Sequence, residues 1–136
     1  MILGIGIDTV SVKRINNLIA KFGKKFEFKV FTQSEIDKAE SLKSSHKGNA
    51  INAFYAKRFA AKEAFSKALG LGIGRGVDFK DIEIDNDKLG KPFIKILNEK
   101  EKFIKSHFQV EDFIIHLSLS DDNDSALAMV TISKKI

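Results

Sequence analysis

The first ten residues, MILGIGIDTV, constrain the fold more than any other stretch of the chain. Apolar residues alternate with glycine or a polar residue, which is typical of a β-strand. One face of this strand would hold the apolar residues Leu3, Ile5 and Ile7. The other face would hold Gly4 and Gly6 and then Asp8, so that it carries almost no side-chain bulk before the carboxylate. A bare glycine face lets a ligand or another element approach the backbone closely. We therefore expect either a ligand or another element of the fold close to the backbone of this strand, which ends near the carboxylate of Asp8.

Two helices are predicted after this strand. SVKRINNLIAKFG has apolar residues at helical spacing, with Ser11 as its N-cap and Gly23 as its stop. Thr32 and Glu35 have the spacing of a capping box, which marks the start of the second helix.

A long helix is predicted in the middle of the chain. A polar loop over 43–49 would lead into a helix over about 50–69, which Gly70 would end. The glycine-rich stretch 70–76 lacks the Lys-Ser/Thr ending of a nucleotide P-loop and follows a helix, so a flexible connector is its simplest interpretation.

The second half of the chain is predicted to form paired strands. Strands over 81–87 and 90–97 would form a hairpin around Lys88–Gly90. A short helix that begins at Asn98 would follow, and two strands over 113–133 would enclose an acidic turn. Because helices precede paired strands without regular alternation, the sequence predicts the α+β class: one domain, with a small and mainly antiparallel sheet against the long helix.

Two cations on the long helix fall inside its apolar stripe. The stripe consists of Ile51, Phe54, Tyr55, Phe65 and Leu69. Arg58 and Lys62 lie one turn apart within it. Either their stems pack along apolar surface with the charged ends in water, or an anion lies between the two ends. A phosphate is the obvious anion, because Arg offers it a planar fork and Lys a point charge.

Composition limits the class of protein. The chain has 136 residues, 43% of them hydrophobic, which suits one folded domain. It has no cysteine, which excludes disulfide and thiolate chemistry. The N-terminus lacks the basic leader of an export signal, and no apolar run approaches the ~20 residues of a membrane span. We therefore expect a cytoplasmic protein.

The positive charge is unevenly distributed. The net charge is +5, and no acid occurs between Asp8 and Glu27. That segment holds five cations: Lys13, Arg14, Lys21, Lys24 and Lys25. It is either a solvated basic face or a patch that attracts nucleic acid, an anionic membrane or an acidic protein.

Asp8 and Glu63 are candidate metal ligands. Two carboxylates, together with substrate phosphates and waters, are how proteins usually hold Mg²⁺. The alternative for Glu63 is an ordinary surface pair with Lys67, four residues further along the helix. Spacing leaves both interpretations open.

Four motifs carry a resemblance to a known family. GIGIDTVSVKR, RFAAKEAFSKALG, GKP at 90–92 and HLSLSD at 116–121 occur in the order and spacing of the holo-acyl-carrier-protein synthases, the short type of 4′-phosphopantetheinyl transferase. The resemblance covers nearly the whole chain. It implies Mg²⁺-dependent transfer of phosphopantetheine from coenzyme A to a serine of acyl carrier protein, in fatty acid biosynthesis, with release of adenosine 3′,5′-bisphosphate. It also implies a homotrimer with active sites at the subunit boundaries.

The resemblance assigns roles to particular residues. Asp8 and Glu63 would hold the metal, and Lys67 would join them as a catalytic residue. Coenzyme A would contact Arg58, Lys62, Ser66, Lys67, Gly70, Pro92 and His116, of which Pro92 and His116 would come from a neighbouring subunit. Arg14, with the surrounding Lys13, Lys21 and Lys25, would face the acidic helix of the carrier. The serine proton would go to Glu63 or, alternatively, to a metal-bound water.

Two other classes of function explain the basic segment. A nucleic-acid-binding module fits a sequence pI of about 9.4, but the chain lacks aromatic residues interleaved with basic ones on a strand, and Asp8 would have no role. A noncatalytic partner of acidic proteins would need the basic helix alone.

Overall fold

The fold combines a three-stranded antiparallel sheet, a separate hairpin and a long buried helix. The computed structural model describes residues 1–45, 51 and 53–136. In chain order the elements are β1 (Ile2–Ser11), α1 (Val12–Phe22), α2 (Lys24–Val30), α3 (Gln33–Ser44), α4 (Phe54–Leu69), a 3₁₀ turn (Phe79–Asp81), β2 (Ile82–Asn86), β3 (Pro92–Ile96), α5 (Lys100–Phe108), β4 (Phe113–Asp122) and β5 (Ser125–Lys134). β5 lies between β1 and β4, and β2 pairs with β3. The predicted α+β class is confirmed.

The glycine face of β1 is the surface on which α4 packs. A Cβ atom on Gly4 would collide with the carbonyl oxygen of Ala68, and one on Gly6 with that of Ala64. Ala64 and Ala68 are themselves buried, so strand and helix meet backbone to backbone. The expected close partner is therefore this helix, and it brings the side chains of α4 next to Asp8.

The opposite face of the three-stranded sheet is exposed although it is partly apolar. Ile5 is 61% exposed and Ile7 is 55% exposed. Ile7 pairs with Met129 of β5, which is 48% exposed, and Ile114 of β4 is exposed on the same sheet. In a single chain the side chains of Ile5 and Ile7 thus face solvent, while the glycines of β1 face the core.

Local capping signals set the first helices as predicted. The Ser11 side chain accepts from the Arg14 amide at the start of α1, and Gly23 ends this helix with φ 57°. Thr32 and Glu35 form the predicted capping box of α3. The short helix α2 was not predicted, because its seven residues show no clear periodicity.

Two predicted boundaries need correction or fall outside the described residues. The predicted loop at 43–49 begins with two residues of α3, and 46–49 lie outside the described part, as does Ala50 at the predicted start of the long helix. Asn98 does not cap α5: it has φ 58°, and its side-chain amide donates to Asp81 Oδ1 at 2.8 Å.

None of the helices in the described ranges is long and apolar enough to cross a membrane.

Burial of α4 on all sides explains why cations fall in its apolar stripe. Most of its 16 residues are buried, including Arg58 and Lys62. The sheet covers one side of the helix, and α3 and the β2–β3 hairpin cover the other. The charged ends of Arg58 and Lys62 therefore meet protein groups, which matches neither of the two interpretations offered above.

Candidate active site

Asp8 and Lys67 form an ion pair where β1 meets α4. Lys67 Nζ lies 3.0 Å from Asp8 Oδ1 and donates to the carbonyl oxygen of Ile7 at 3.0 Å. The Asp8 side chain is 15% exposed and that of Lys67 is 53% exposed. Both line an open pocket of about 380 Å³ with Ile7, Thr9 and Leu127. The pair is therefore accessible to a ligand.

Glu63 lies one turn before Lys67 on α4 and is partly buried. Burial raises the pKa of the Glu63 carboxyl, the charge of Asp8 raises it further, and Lys67 lowers it. Asp8 and Glu63 thus repel each other across a short distance, an arrangement that a cation would relieve. Since Lys67 is paired with Asp8, the interpretation of Glu63 and Lys67 as a simple surface pair does not describe this site.

The two carboxylates fit one kind of metal site. Within the described residues there is no group of three or more His, Cys, Asp or Glu side chains that could hold a metal ion unaided. Mg²⁺ needs fewer protein ligands, because it keeps several waters and is often completed by substrate phosphates. Asp8 and Glu63 offer the oxygen ligands that this ion prefers.

Lys62 is not a phosphate ligand in this structure. Its side chain has no solvent exposure, and Nζ donates to Glu35 Oε1 at 2.7 Å, to the Val30 carbonyl at 2.8 Å and to the Phe79 carbonyl at 3.1 Å. Burial lowers the pKa of the ammonium, and Glu35 opposes that shift. The predicted anion between Arg58 and Lys62 is therefore wrong: the negative charge that Lys62 meets is the carboxylate of Glu35.

Two further predicted ligands of coenzyme A lie toward the end of α4. Ser66 is 1% exposed, and its hydroxyl donates to the Glu63 carbonyl at 2.7 Å, so the structure gives no support for a phosphate contact. Gly70 is exposed, caps the helix with φ 80° and donates to the Lys67 carbonyl.

Arg58 and Pro92 line one pocket of about 330 Å³. Arg58 Nη2 donates to Asn86 Oδ1 at 3.0 Å, and its guanidinium carbon lies 3.8 Å from the centroid of the Phe54 ring. Its Nε is buried without a hydrogen-bond partner among the described residues. Burial lowers the pKa of Arg58. This guanidinium therefore retains hydrogen-bonding capacity and favours an anionic partner.

Two lysines of this pocket were not predicted from the sequence. Lys57 and Lys38 line it beside Arg58 and pair with Asp121 at 3.1 Å and with Asp85 at 3.6 Å. The signal for Lys57 was its position next to Arg58. Lys38 had none, because the contact joins α3 to the hairpin.

The Arg58 pocket and the Asp8 pocket lie on different sides of α4. Arg58 and Lys67 are nine residues apart, and at 3.6 residues per turn their side chains project about 180° apart. Pro92 therefore belongs with Arg58, and Lys67 belongs with Asp8 and Glu63. The structure thus brings the predicted residues together as two groups.

His116 lies apart from both pockets, on the exposed face of the sheet. Its Nε2 is 3.0 Å from Ser133 Oγ. Ser118 and Ser120 are exposed on the same strand, as the predicted alternation requires.

The predicted basic surface forms a continuous strip along α1 and α2. Lys13, Arg14 and Lys21 line a groove of about 350 Å³ with Leu18. Lys25 lines the adjoining pocket, which shares Leu18. The cations are exposed, and apolar side chains lie between them.

A family model and an individual relative both match nearly the whole chain. The sequence model of the 4′-phosphopantetheinyl transferase superfamily matches residues 4–130. A holo-[acyl-carrier-protein] synthase of Anaplasma phagocytophilum (strain HZ) is 48% identical over 132 residues, which is 97% of this chain and 98% of the relative.

Solved structures agree in sequence and in fold. The crystal structure of holo-[acyl-carrier-protein] synthase from Neisseria meningitidis has a TM-score of 0.84 and 40% identity, covering 98% of this chain and 100% of that chain. A holo-(acyl-carrier-protein) synthase from Bacillus anthracis str. Ames, in complex with CoA (3′,5′-ADP), has a TM-score of 0.78 and 38% identity, covering 99% of both chains. The chain therefore belongs to the 4′-phosphopantetheinyl transferase superfamily.

Proposed function

We propose that this protein transfers the 4′-phosphopantetheine group of coenzyme A to a serine of acyl carrier protein, converting apo to holo carrier protein. The observation that carries the proposal is the grouping of Asp8, Glu63 and Lys67 at the junction of β1 and α4. The names of the relatives and the coenzyme A complex of the Bacillus anthracis protein support it. The test is to incubate the protein with apo-carrier, coenzyme A and Mg²⁺ and to look for the added mass of one phosphopantetheine on the carrier.

The reaction is a phosphoryl transfer to an alcohol. The serine oxygen forms a bond to the β-phosphorus of coenzyme A. The bond from that phosphorus to the bridging oxygen breaks, and its electron pair leaves with adenosine 3′,5′-bisphosphate. The protein contributes positioning and neutralisation of charge.

Glu63 is the proposed acceptor of the serine proton. Its raised pKa makes the carboxylate a stronger base than an ordinary glutamate. The ammonium of Lys67, held by Asp8 and Ile7, is placed to neutralise phosphate oxygens beside it.

Mg²⁺ is the proposed cofactor, with Asp8 and Glu63 as its protein ligands. When bound, it supplies positive charge to the phosphate oxygens. The mutual repulsion of the two carboxylates supports the assignment, since a divalent cation removes it. Loss of ion binding in Asp8→Asn, measured with Mn²⁺ by electron paramagnetic resonance, provides a readout that does not depend on turnover.

Coenzyme A is proposed to contact both groups of residues. Arg58 and Pro92, with Lys57 and Lys38, offer a cationic pocket for phosphate or nucleotide. Lys67 and Gly70 lie at the other end of α4. Because the two groups project from different sides of this helix, the two groups of one chain would contact two different molecules of coenzyme A.

A homotrimer with shared active sites resolves this separation. The exposed face with Ile5, Ile7 and Met129 gives a surface for association. In such an assembly Arg58, Pro92 and His116 of one subunit complete a site whose Asp8 and Glu63 belong to its neighbour.

The carrier is proposed to bind the strip along α1 and α2. Arg14, Lys13, Lys21 and Lys25 supply positive charge for an acidic helix, and Leu18 supplies an apolar contact. We further propose that residues 1–136 form one domain, that the protein acts in the cytoplasm, and that it serves fatty acid biosynthesis.

A further inference from the structure

The turn between β4 and β5 caps the first turn of α1. Asp124 accepts the Lys13 amide at Oδ1 (2.8 Å) and the Ser11 hydroxyl at Oδ2 (2.6 Å), and its carbonyl accepts the Val12 amide at 2.8 Å. Ser11 Oγ in turn accepts the Arg14 amide at 3.1 Å. The first three amides of α1 are therefore all satisfied, two of them by a residue more than a hundred positions away.

Asp124 also supplies charge that α1 lacks. The first turn of this helix contains no acidic side chain, although negative charge at a helix N-terminus is favourable. Hydrogen bonds from the Ser11 side chain and the Lys13 amide lower the pKa of Asp124, so this carboxyl is ionised at neutral pH.

Two buried side chains and this cap hold the start of α1. Val12 and Ile15 are the buried residues of α1. Lys13 and Arg14, in the same turn, are exposed and line the groove proposed for the carrier. Their backbone amides belong to the capped set, so the cap fixes where their side chains begin.

The end of β4, just before this turn, also contacts the helix that carries the site. Asp121 pairs with Lys57 of α4 at 3.1 Å, and Lys57 lines the pocket of Arg58. The end of β4 and the turn that follows it thus join the basic surface of α1 to α4.

We infer that Asp124 is a positioning residue for carrier binding, which holds Lys13 and Arg14 in the orientation that an acidic carrier helix requires. The inference rests on the proposed role of α1 as the carrier-binding surface. Without the Asp124 carboxylate, the Lys13 amide and the Ser11 hydroxyl lose their acceptor, the first turn of α1 loosens, and the carrier must reorder that turn when it binds. The cost appears in the KM for the carrier, while the coenzyme A site and the chemical step keep their geometry.

The test compares Asp124→Ala with Asp122→Ala. Asp122 is the last residue of β4, two positions before Asp124, and its side chain is exposed and has no polar partner within the described residues. We expect Asp124→Ala to raise the KM for carrier about five- to tenfold, with kcat and the KM for coenzyme A within about twofold of the wild type. Asp122→Ala should leave all three constants unchanged. Asp124→Asn, which keeps an acceptor for the Lys13 amide, should show a rise of about two- to threefold.

Arg14→Glu in the same assay separates this inference from the proposed function. If Arg14→Glu raises the KM for carrier and neither Asp124 variant does, the positioning role is wrong and the carrier surface stands. If none of them raises it, α1 is not the carrier surface, and both ideas fail. A parallel rise in the KM for coenzyme A with Asp124→Ala would indicate general destabilisation and would also overturn the inference. Should Asp124→Ala fail to fold, equal KM values for Asp124→Asn and Asp122→Asn would overturn it.

Discussion

Lys62 Nζ lies 2.7 Å from Glu35 Oε1, and neither side chain is exposed by more than 1%. Glu35 also accepts the Thr32 amide at 2.9 Å and the Ile84 amide at 2.9 Å. This one carboxylate thus ties α3 and β2 to the helix that carries Glu63 and Lys67. Its charge is balanced inside the protein, so the pair acts as a fixed internal link.

Removing one partner of this pair should destabilise the fold. Lys62→Met leaves the Glu35 charge buried and uncompensated, which typically costs about 3 to 5 kcal/mol. We expect urea denaturation to show this loss in the free energy of unfolding. Lys62→Met combined with Glu35→Gln should recover part of it, because the second change removes the stranded charge. A single variant within about 1 kcal/mol of the wild type would contradict the account.

Local signals in the sequence predicted the parts of the fold that are decided locally. Ser11, Gly23 and the Thr32–Glu35 box set helix ends through contacts a few residues apart, and the glycines of β1 required a close partner. Long-range pairing could not be predicted in this way. The Lys62–Glu35 pair joins residues 27 positions apart, and because the sequence does not reveal it, Lys62 was wrongly assigned to a phosphate.

The same limit applies to helix ends and to the candidate site. Asn98 is a residue type that is common at helix N-caps. Its side chain instead donates a hydrogen bond to Asp81, and its backbone has a left-handed conformation. The charge of Asp8 raises the pKa of Glu63, because the glycine face brings α4 to β1, and their role as a shared metal site stays a prediction. The division of the cations between two sides of α4 follows from the nine-residue spacing of Arg58 and Lys67, but the elements that line each side depend on long-range packing.

Glu63 should make stability depend on pH. Because its folded-state pKa is raised from the ordinary value of 4.5, the neutral form is favoured by folding. The resulting stability is fully present below pH 4.5 and is lost as pH rises through the raised pKa. Without Mg²⁺, Glu63→Gln should therefore have a higher Tm than the wild type at neutral pH and a similar Tm near pH 4. Glu111→Gln, at an exposed position, should show no such trend, and a Glu63→Gln that is less stable at neutral pH would refute the shift.

Arg14→Glu should weaken carrier use selectively. Loss of a charge-assisted contact and reversed charge should reduce productive binding of the carrier by ~1 to 3 kcal/mol and flatten the salt dependence of kcat/KM. Coenzyme A binding, measured by calorimetry without carrier, should be nearly unchanged. Loss of coenzyme A affinity with intact carrier affinity would place Arg14 in the phosphate site instead.

The exposed sheet face should drive assembly. Light scattering should give the mass of three 15.2-kDa chains, and Ile7→Glu should shift the protein to smaller species. Leu89→Glu is the control, because Leu89 is 96% exposed in the β2–β3 turn and is not part of the three-stranded sheet. A fully active monomer would contradict the shared sites.

Mixed assemblies test the sharing of residues between subunits. Arg58→Ala and Glu63→Gln should each be inactive alone, and His116→Ala should behave like Arg58→Ala. Refolding Arg58→Ala together with Glu63→Gln should restore part of the activity, because some sites then combine two unaltered halves. If every site lay within one chain, the mixture would stay inactive.

Transfer itself is tested most directly by measuring both products of one reaction. With coenzyme A, Mg²⁺ and apo-carrier, mass spectrometry should show one phosphopantetheine on the carrier serine, and chromatography should show an equal amount of adenosine 3′,5′-bisphosphate. Asp8→Asn and Glu63→Gln should remain folded and lower the rate at least about 100-fold. An unmodified carrier, or near-normal transfer by both variants, would contradict the assignment of the reaction to the Asp8–Glu63 site.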